Sequence, residues 1–261
     1  MFQFSEHAPG ILHIQDGMGV CMTLILGNRK ALLFDTGYGL EDVCSYAASL
    51  TSLPLTVLLS HGHHDHAMGS VWFKDVMLSE KEKTVYETYT SLPWRQHVLN
   101  QAAQKNLNWP DDYLTRPSAA AHTAESDLLD LGGRTVRLLP LPGHTPGSIM
   151  LLTDGVLLTG DNWNPETWCF FPEAESVLTL RKSLQTVLRE DFETVLCSHR
   201  PSRFTRRDLE AFTGSITDQA LAGAEPCGLG APYGVDARAI TLPDHQRLVF
   251  DFAKFERSRQ E

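Results

Sequence analysis

Clustered thiols, long apolar runs and a surplus of positive charge are all missing from this 261-residue chain. Its 5 cysteines, Cys21, Cys44, Cys169, Cys197 and Cys227, are scattered and form no C-x-x-C pair. That argues against a disulfide framework or a thiolate zinc site, and makes a reducing cytoplasm the expected compartment. No stretch approaches the roughly 18 consecutive apolar residues of a membrane span, and the start MFQFSEHAPG lacks the basic head and apolar stretch of a secretory signal. Against 22 Lys and Arg stand 32 Asp and Glu, a formal charge of −10, which repels polyanions and anionic lipid. Neither nucleic acid nor membrane is expected as a partner, and no feature of the chain sets an oligomeric state. What remains is ordinary globular material, 42% hydrophobic and 21% charged. A chain this long hides roughly 70–75% of its unfolded surface and needs no staple.

The first half reads as short strands at Ile11–Gln15, Cys21–Leu26 and Ala31–Asp35, the last two joined by a Gly27–Lys30 turn. A helical stretch over Leu40–Leu50 follows, then the continuous apolar run Leu55–Ser60, as expected of a strand covered on both faces. Val76–Leu78 reads as a strand and Glu80–Tyr89 as a helix. Residues Ser91–Ala121 interrupt this alternation with Pro93, Pro110 and Pro117, with Trp94, Trp109 and Tyr113, and with one helix near Gln96–Asn106; they are read as an inserted cap or lid. The second half has strands at Thr135–Leu139, Ser148–Thr153, Val156–Thr159 and Thr194–Cys197, with Asp154-Gly155 as a tight hairpin turn. Helices are expected at Glu175–Arg189, where Val177, Leu180, Leu184 and Leu188 fall at helical spacing, and at Thr205–Leu221. A hairpin of Ala239–Thr241 with Leu248–Phe252 closes the chain. No Gly-, Ser- or Pro-rich linker divides the halves, so residues 1–261 are expected to form a single α/β domain.

Of 11 histidines, four fall within Ser60-His61-Gly62-His63-His64-Asp65-His66, the pattern H-x-H-x-D-H. Imidazole nitrogens and carboxylate oxygens are the donor set that Zn²⁺ accepts when thiolates are absent. His61 and His63, two apart on a turning segment, can point the same way, and Asp65 and His66 can reach a second position nearby. Three more candidates stand at strand ends: His144 in the rigid loop L-P-L-P-G-H-T-P-G, Asp161 in L-L-T-G-D, and His199 after T-V-L-C-S.

H-x-H-x-D-H, G-H-T-P-G, T-G-D and the late Ser198-His199, preceded by Asp35-Thr36-Gly37, resemble in order the motifs of the metallo-β-lactamase-fold superfamily of metal hydrolases. The resemblance implies a four-layer αββα sandwich with the site at one edge. It implies two divalent metal ions, zinc first, with iron or manganese as alternatives. His61, His63 and His144 would hold one ion and Asp65, His66 and His199 the other, with Asp161 bridging; Asp65 and Asp161 are the catalytic candidates. Asp35 is expected to support the site without ligating. His63, where diiron flavoprotein relatives carry Glu, disfavours oxygen reduction. Asp161, where antibiotic-hydrolysing members carry Cys, points to the glyoxalase II-like, lactonase-like and ribonuclease Z-like branch. A strand-like Leu248–Phe252, where glyoxalase II-like proteins have helices, weighs against glutathione thioesters.

Two metals lower the pKa of a shared water toward neutrality and so supply a nucleophile for a small-molecule ester, thioester or lactone. A small-molecule phosphodiesterase is the alternative, and a non-catalytic, metal-retaining regulator a third reading. His64 is a supporting or proton-donating candidate. Trp163 and Trp168 are candidates for an apolar pocket wall, and Arg200 and Arg203 for holding a substrate carboxylate or phosphate.

Overall fold

Two units account for the contacts in the computed structural model, which describes residues 1–260. The first comprises Met1–Leu138 with Ser198–Ser202; the second comprises Leu139–Cys197 and the chain from Arg203 onward. The short returning segment matters, because it puts His199 in the same unit as the histidine cluster.

The first unit is built on a seven-stranded sheet whose spatial order is the order of the chain. Strands β1 (Gln3–Ala8), β2 (Ile11–Gln15), β3 (Cys21–Leu26) and β4 (Ala31–Phe34) form an antiparallel meander. β5 (Leu55–Leu58), β6 (Asp75–Leu78) and β7 (Ala120–Thr123) then add in parallel. Parallel neighbours need crossovers. These carry α1 (Val43–Leu50), α2 (His64–Ala67), α3 (Lys83–Tyr89) and α4 (Leu92–Gln104). β4 pairs with β5 so that Phe34 lies opposite Leu58, and the Asp35 amide donates to the Leu58 carbonyl at 2.9 Å. The segments leaving those strands, Asp35–Gly37 and Ser60–His66, therefore emerge side by side. An antiparallel pair, β8 (Leu128–Asp130) and β9 (Thr135–Pro140), follows, and the unit's boundary at Leu138 falls within β9.

The expected insertion at 91–121 is anchored to the unit through a few buried residues, while about half of it is exposed. Its helix starts at Leu92, with Pro93 in the first turn where a missing N–H costs nothing. Val98, Leu99, Ala102 and Tyr113 are buried with Leu40 and Met68, and residues 120 and 121 already belong to β7.

In the second unit β10 (Ile149–Thr153), β11 (Val156–Leu158), β13 (Thr194–Leu196) and β14 (Phe204–Thr205) run in the order β14-β13-β11-β10. Asp154 and Gly155, with φ of 47° and 72°, make the tight turn expected between β10 and β11. A second sheet takes the order β12-β17-β16-β15, from β12 (Glu166–Cys169), β15 (Glu225–Pro226), β16 (Ala237–Thr241) and β17 (Arg247–Asp251). Helices α5 (Val177–Val187), α6 (Arg206–Ser215), α7 (Asp218–Ala222) and α8 (Phe252–Ser258) complete it.

Two expectations change here. The helix read across Thr205–Leu221 breaks at Ile216, because the Thr217 hydroxyl accepts from the Ala220 amide and starts a new helix. The chain does not end in a strand through Phe252. Asp251 accepts from the Lys254 amide and caps α8, which begins at Phe252.

Candidate metal centre

The ligand loop follows β5. Gly62 separates His61 from His63, and a Cβ there would lie 2.4 Å from the Tyr86 amide nitrogen, so only glycine fits. The Gly62 N–H donates to Glu82 Oε2 at 2.9 Å, and Glu82 is fully buried. Sequence reasoning missed Glu82, one acid among several in a charged stretch. His63 is extended, with φ −66° and ψ 153°, and its carbonyl accepts from the amides of His66 and Ala67 to begin α2. His61 and His63 thus sit before the helix, with ring centroids 4.7 Å apart, while His64, Asp65 and His66 occupy its first turn.

Asp35 organises the loop from beneath. It adopts φ of 68° at the end of β4 and is 1% exposed. Its Oδ1 accepts from the Ser60 amide at 2.6 Å. Its Oδ2 accepts from the Ser60 hydroxyl at 2.9 Å and from His66 Nδ1 at 2.9 Å. The Ser60 proton is committed to Asp35, so Ser60 Oγ, 2.9 Å from His61 Nδ1, accepts from that ring. His61 and His66 therefore both carry their proton on Nδ1, and both present an Nε2 lone pair. An acceptor that fixes the far nitrogen is the arrangement that orients a metal-ligating histidine.

His66 Nε2 and His199 Nε2 each lie 3.6 Å from Asp65 Oδ2. Asp65, His66 and His199 offer ligand atoms within 4.8 Å of one another, as do His61 and His63. In the second unit, His144 Nδ1 donates to the Trp168 carbonyl at 2.5 Å, and its Nε2 lies 3.8 Å from Asp161 Oδ2. The His144 amide donates to Asn162 Oδ1 at 3.0 Å, and Asn164 Nδ2 donates to Asp161 Oδ1 at 3.1 Å. The second amide leaves the other oxygen of Asp161 toward His144. Within each unit the donors suit a divalent ion: His61 and His66 are held in the ligating tautomer beside Asp65 in the first, and His144 likewise beside Asp161 in the second. These His and Asp groups can hold metal.

The remaining candidates separate. His64 packs among Tyr38, Trp94 and His97, with ring centroids 5.5, 4.8 and 6.1 Å away. Burial, against the pull of Asp65, pushes its pKa down to about 4, so the ring is neutral near pH 7 and ill suited to donate a proton. Trp163 is fully buried against Phe204 and Phe212, a core residue and not a pocket wall. Trp168 serves His144 through its carbonyl, and its half-buried ring packs at a tilt against Phe170 and Phe171. Arg200 and Arg203 are exposed, and Arg200 Nη1 donates to the His199 carbonyl at 3.0 Å.

Residues 16–199 match the model of the metallo-beta-lactamase superfamily, and the chain belongs to that superfamily. The match spans both units and every candidate ligand. An acyl-coenzyme A thioesterase, MBLAC2, of Gallus gallus is 25% identical over 231 residues, covering 76% of this chain and 81% of its own. A hydroxyacylglutathione hydrolase of Anaeromyxobacter dehalogenans is 28% identical over 138 residues, 53% of this chain and 44% of its own. The crystal structure of a metallo-beta-lactamase family protein of Thermus thermophilus superposes with a TM-score of 0.60 at 19% identity, covering 83% of this chain and 82% of that one. The α/β fold is therefore the metallo-β-lactamase fold implied by the motifs. Among the described residues no helix is long and apolar enough to cross a membrane.

Proposed function

We propose that this chain is a dinuclear metal hydrolase of small-molecule thioesters, the narrowest member of the ester, thioester and lactone class. The observation that carries the reading is the tautomer of His61, His66 and His144, each with Nδ1 donating to a fixed acceptor. Buried imidazoles held this way are poor core residues and good ligands. Two relatives named for thioester hydrolysis narrow the carbonyl substrate.

His61, His63 and His144 would hold one ion, Asp65, His66 and His199 the other, with Asp161 between them. Nitrogen and oxygen donors without a thiolate suit Zn²⁺, with iron or manganese as alternatives. When bound, the pair of ions supplies Lewis acidity that brings a water near neutral pKa and stabilises the developing oxyanion. The chain's residues do the rest. Asp161, steadied by Asn164 at Oδ1, would orient the attacking water and receive its proton. Asp35 and Ser60 keep His66 and His61 in register. His64, neutral and packed in rings, serves as structure.

The test is a panel of acyl thioesters, carboxylic esters, lactones and bis(p-nitrophenyl) phosphate, given to metal-loaded protein with Asp161→Ala as control. Thioester turnover that depends on Asp161 is expected. Asp161-dependent cleavage of the phosphodiester alone would reassign the site to phosphoryl transfer.

A further inference from the structure

β2, with the sequence ILHIQ, is a buried strand carrying one imidazole among apolar residues. His13 is only 4% exposed. A buried polar ring is costly unless both nitrogens are satisfied. Thr23 stands directly across β3 from it, and its hydroxyl lies 2.9 Å from His13 Nδ1. His13 Nε2 lies 3.2 Å from the Arg200 carbonyl. A carbonyl can only accept, so Nε2 carries the proton, and in the neutral ring Thr23 donates to Nδ1.

The Arg200 contact does not stand alone. The Cys21 amide donates to the Ser198 carbonyl at 2.7 Å, and His7 Nε2 donates to the Pro201 carbonyl at 2.9 Å. The segment Ser198–Ser202 has neither helix nor strand to order it. Its carbonyls on either side of His199 are instead gripped by β1, β2 and β3. His199 is itself part exposed, and its Nε2 sits 3.6 Å from Asp65.

We infer that His13, assisted by His7, is a positioning residue that clasps the His199 segment and sets the affinity of the metal site made with Asp65 and His66. The inference rests on the proposed ligand role of His199. It assigns a function to the β1–β2 hairpin, which contributes no ligand.

The experiment strips the full-length protein of metal and titrates it with Co²⁺, following binding by calorimetry and the d–d absorption of each equivalent. His13→Leu is expected to weaken one of two equivalents by about tenfold or more and to leave the other nearly unchanged. His13→Gln, whose amide N–H can reach the Arg200 carbonyl, is expected to recover most of that loss. His7→Ala, at the more open end of the clasp, is expected to weaken the same equivalent about threefold; it carries the test if His13→Leu fails to fold. Equal weakening of both equivalents, no weakening of either, or a Gln variant no better than Leu would overturn the clasp while leaving the hydrolase reading intact. Wild-type protein that binds fewer than two equivalents would overturn the dinuclear reading and the clasp with it.

Discussion

Histidine offers a metal either of two nitrogens, and here neighbours with one proton to place decide which. Ser60 gives its proton to Asp35 and so must accept from His61, while Asp35 also takes the His66 proton. Asp161 takes an amide N–H from Asn164 at Oδ1 and faces His144 with Oδ2. Asp161→Ala should therefore lower kcat by about 100-fold or more, the usual scale of a lost proton acceptor. His64→Phe, which keeps a ring among Tyr38 and Trp94, should stay within about tenfold; comparable losses at equal metal content would reverse these roles. Gly62→Ala forces a Cβ to within 2.4 Å of the Tyr86 amide nitrogen. It should cost about 1–3 kcal/mol in the apo protein, read from denaturant midpoints, and displace both flanking histidines. The candidate ligands stand out in the sequence because H-x-H-x-D-H has few other uses. Glu82, Asn162 and Asn164 do not, since Glu82 and Asn162 grip backbone amides far away in the sequence and Asn164 holds a neighbouring carboxylate, contacts that leave no recognisable pattern.

Elements were legible wherever one face is buried. β5 and α5 stand close to their expected bounds, because a continuous apolar run and a 3.6-residue stripe each have one good solution. β1 was missed because QFSEHA lies at the sheet edge with four of its six residues exposed, so no alternation marks it. α8 was missed because its cap, Asp251, is also the last residue of β17. The stretch from Ser91 to Ala121, read as a cap or lid from its prolines and aromatics, is anchored by Arg95. The buried Arg95 guanidinium donates to the carbonyls of Thr90, Tyr113 and Arg116 and to the Ser118 hydroxyl. Arg95→Met removes these four bonds without shortening the chain, and should cost about 2–4 kcal/mol at roughly 1 kcal/mol per bond. If the segment acts as a lid, limited proteolysis should then cut between residues 105 and 118 while metal content stays at the wild-type value. Loss of metal with the segment would make it part of the site's foundation.

At the scale of the whole molecule the field is negative, with 32 acids against 22 bases. That field favours uncharged or weakly charged substrates unless a local cation intervenes. One relative is named for acyl-coenzyme A, whose diphosphate is strongly anionic. Arg200 is exposed beside His199, and its guanidinium is steadied by the His199 carbonyl, a suitable partner for such a group. Two thioesters with the same acyl chain separate the possibilities, one on coenzyme A and one on neutral N-acetylcysteamine. If Arg200 receives the phosphates, Arg200→Ala should raise KM for the coenzyme A ester by about tenfold, the value of one charge-assisted contact. It should leave kcat for that ester, and both constants for the neutral one, within about twofold. Raising the salt concentration should erode the wild-type preference in the same direction, because an exposed pair is screened over about 10 Å at 0.1 M. An Arg200→Ala variant that loses activity on both thioesters alike would show that the arginine acts on His199 through its carbonyl and not on the substrate.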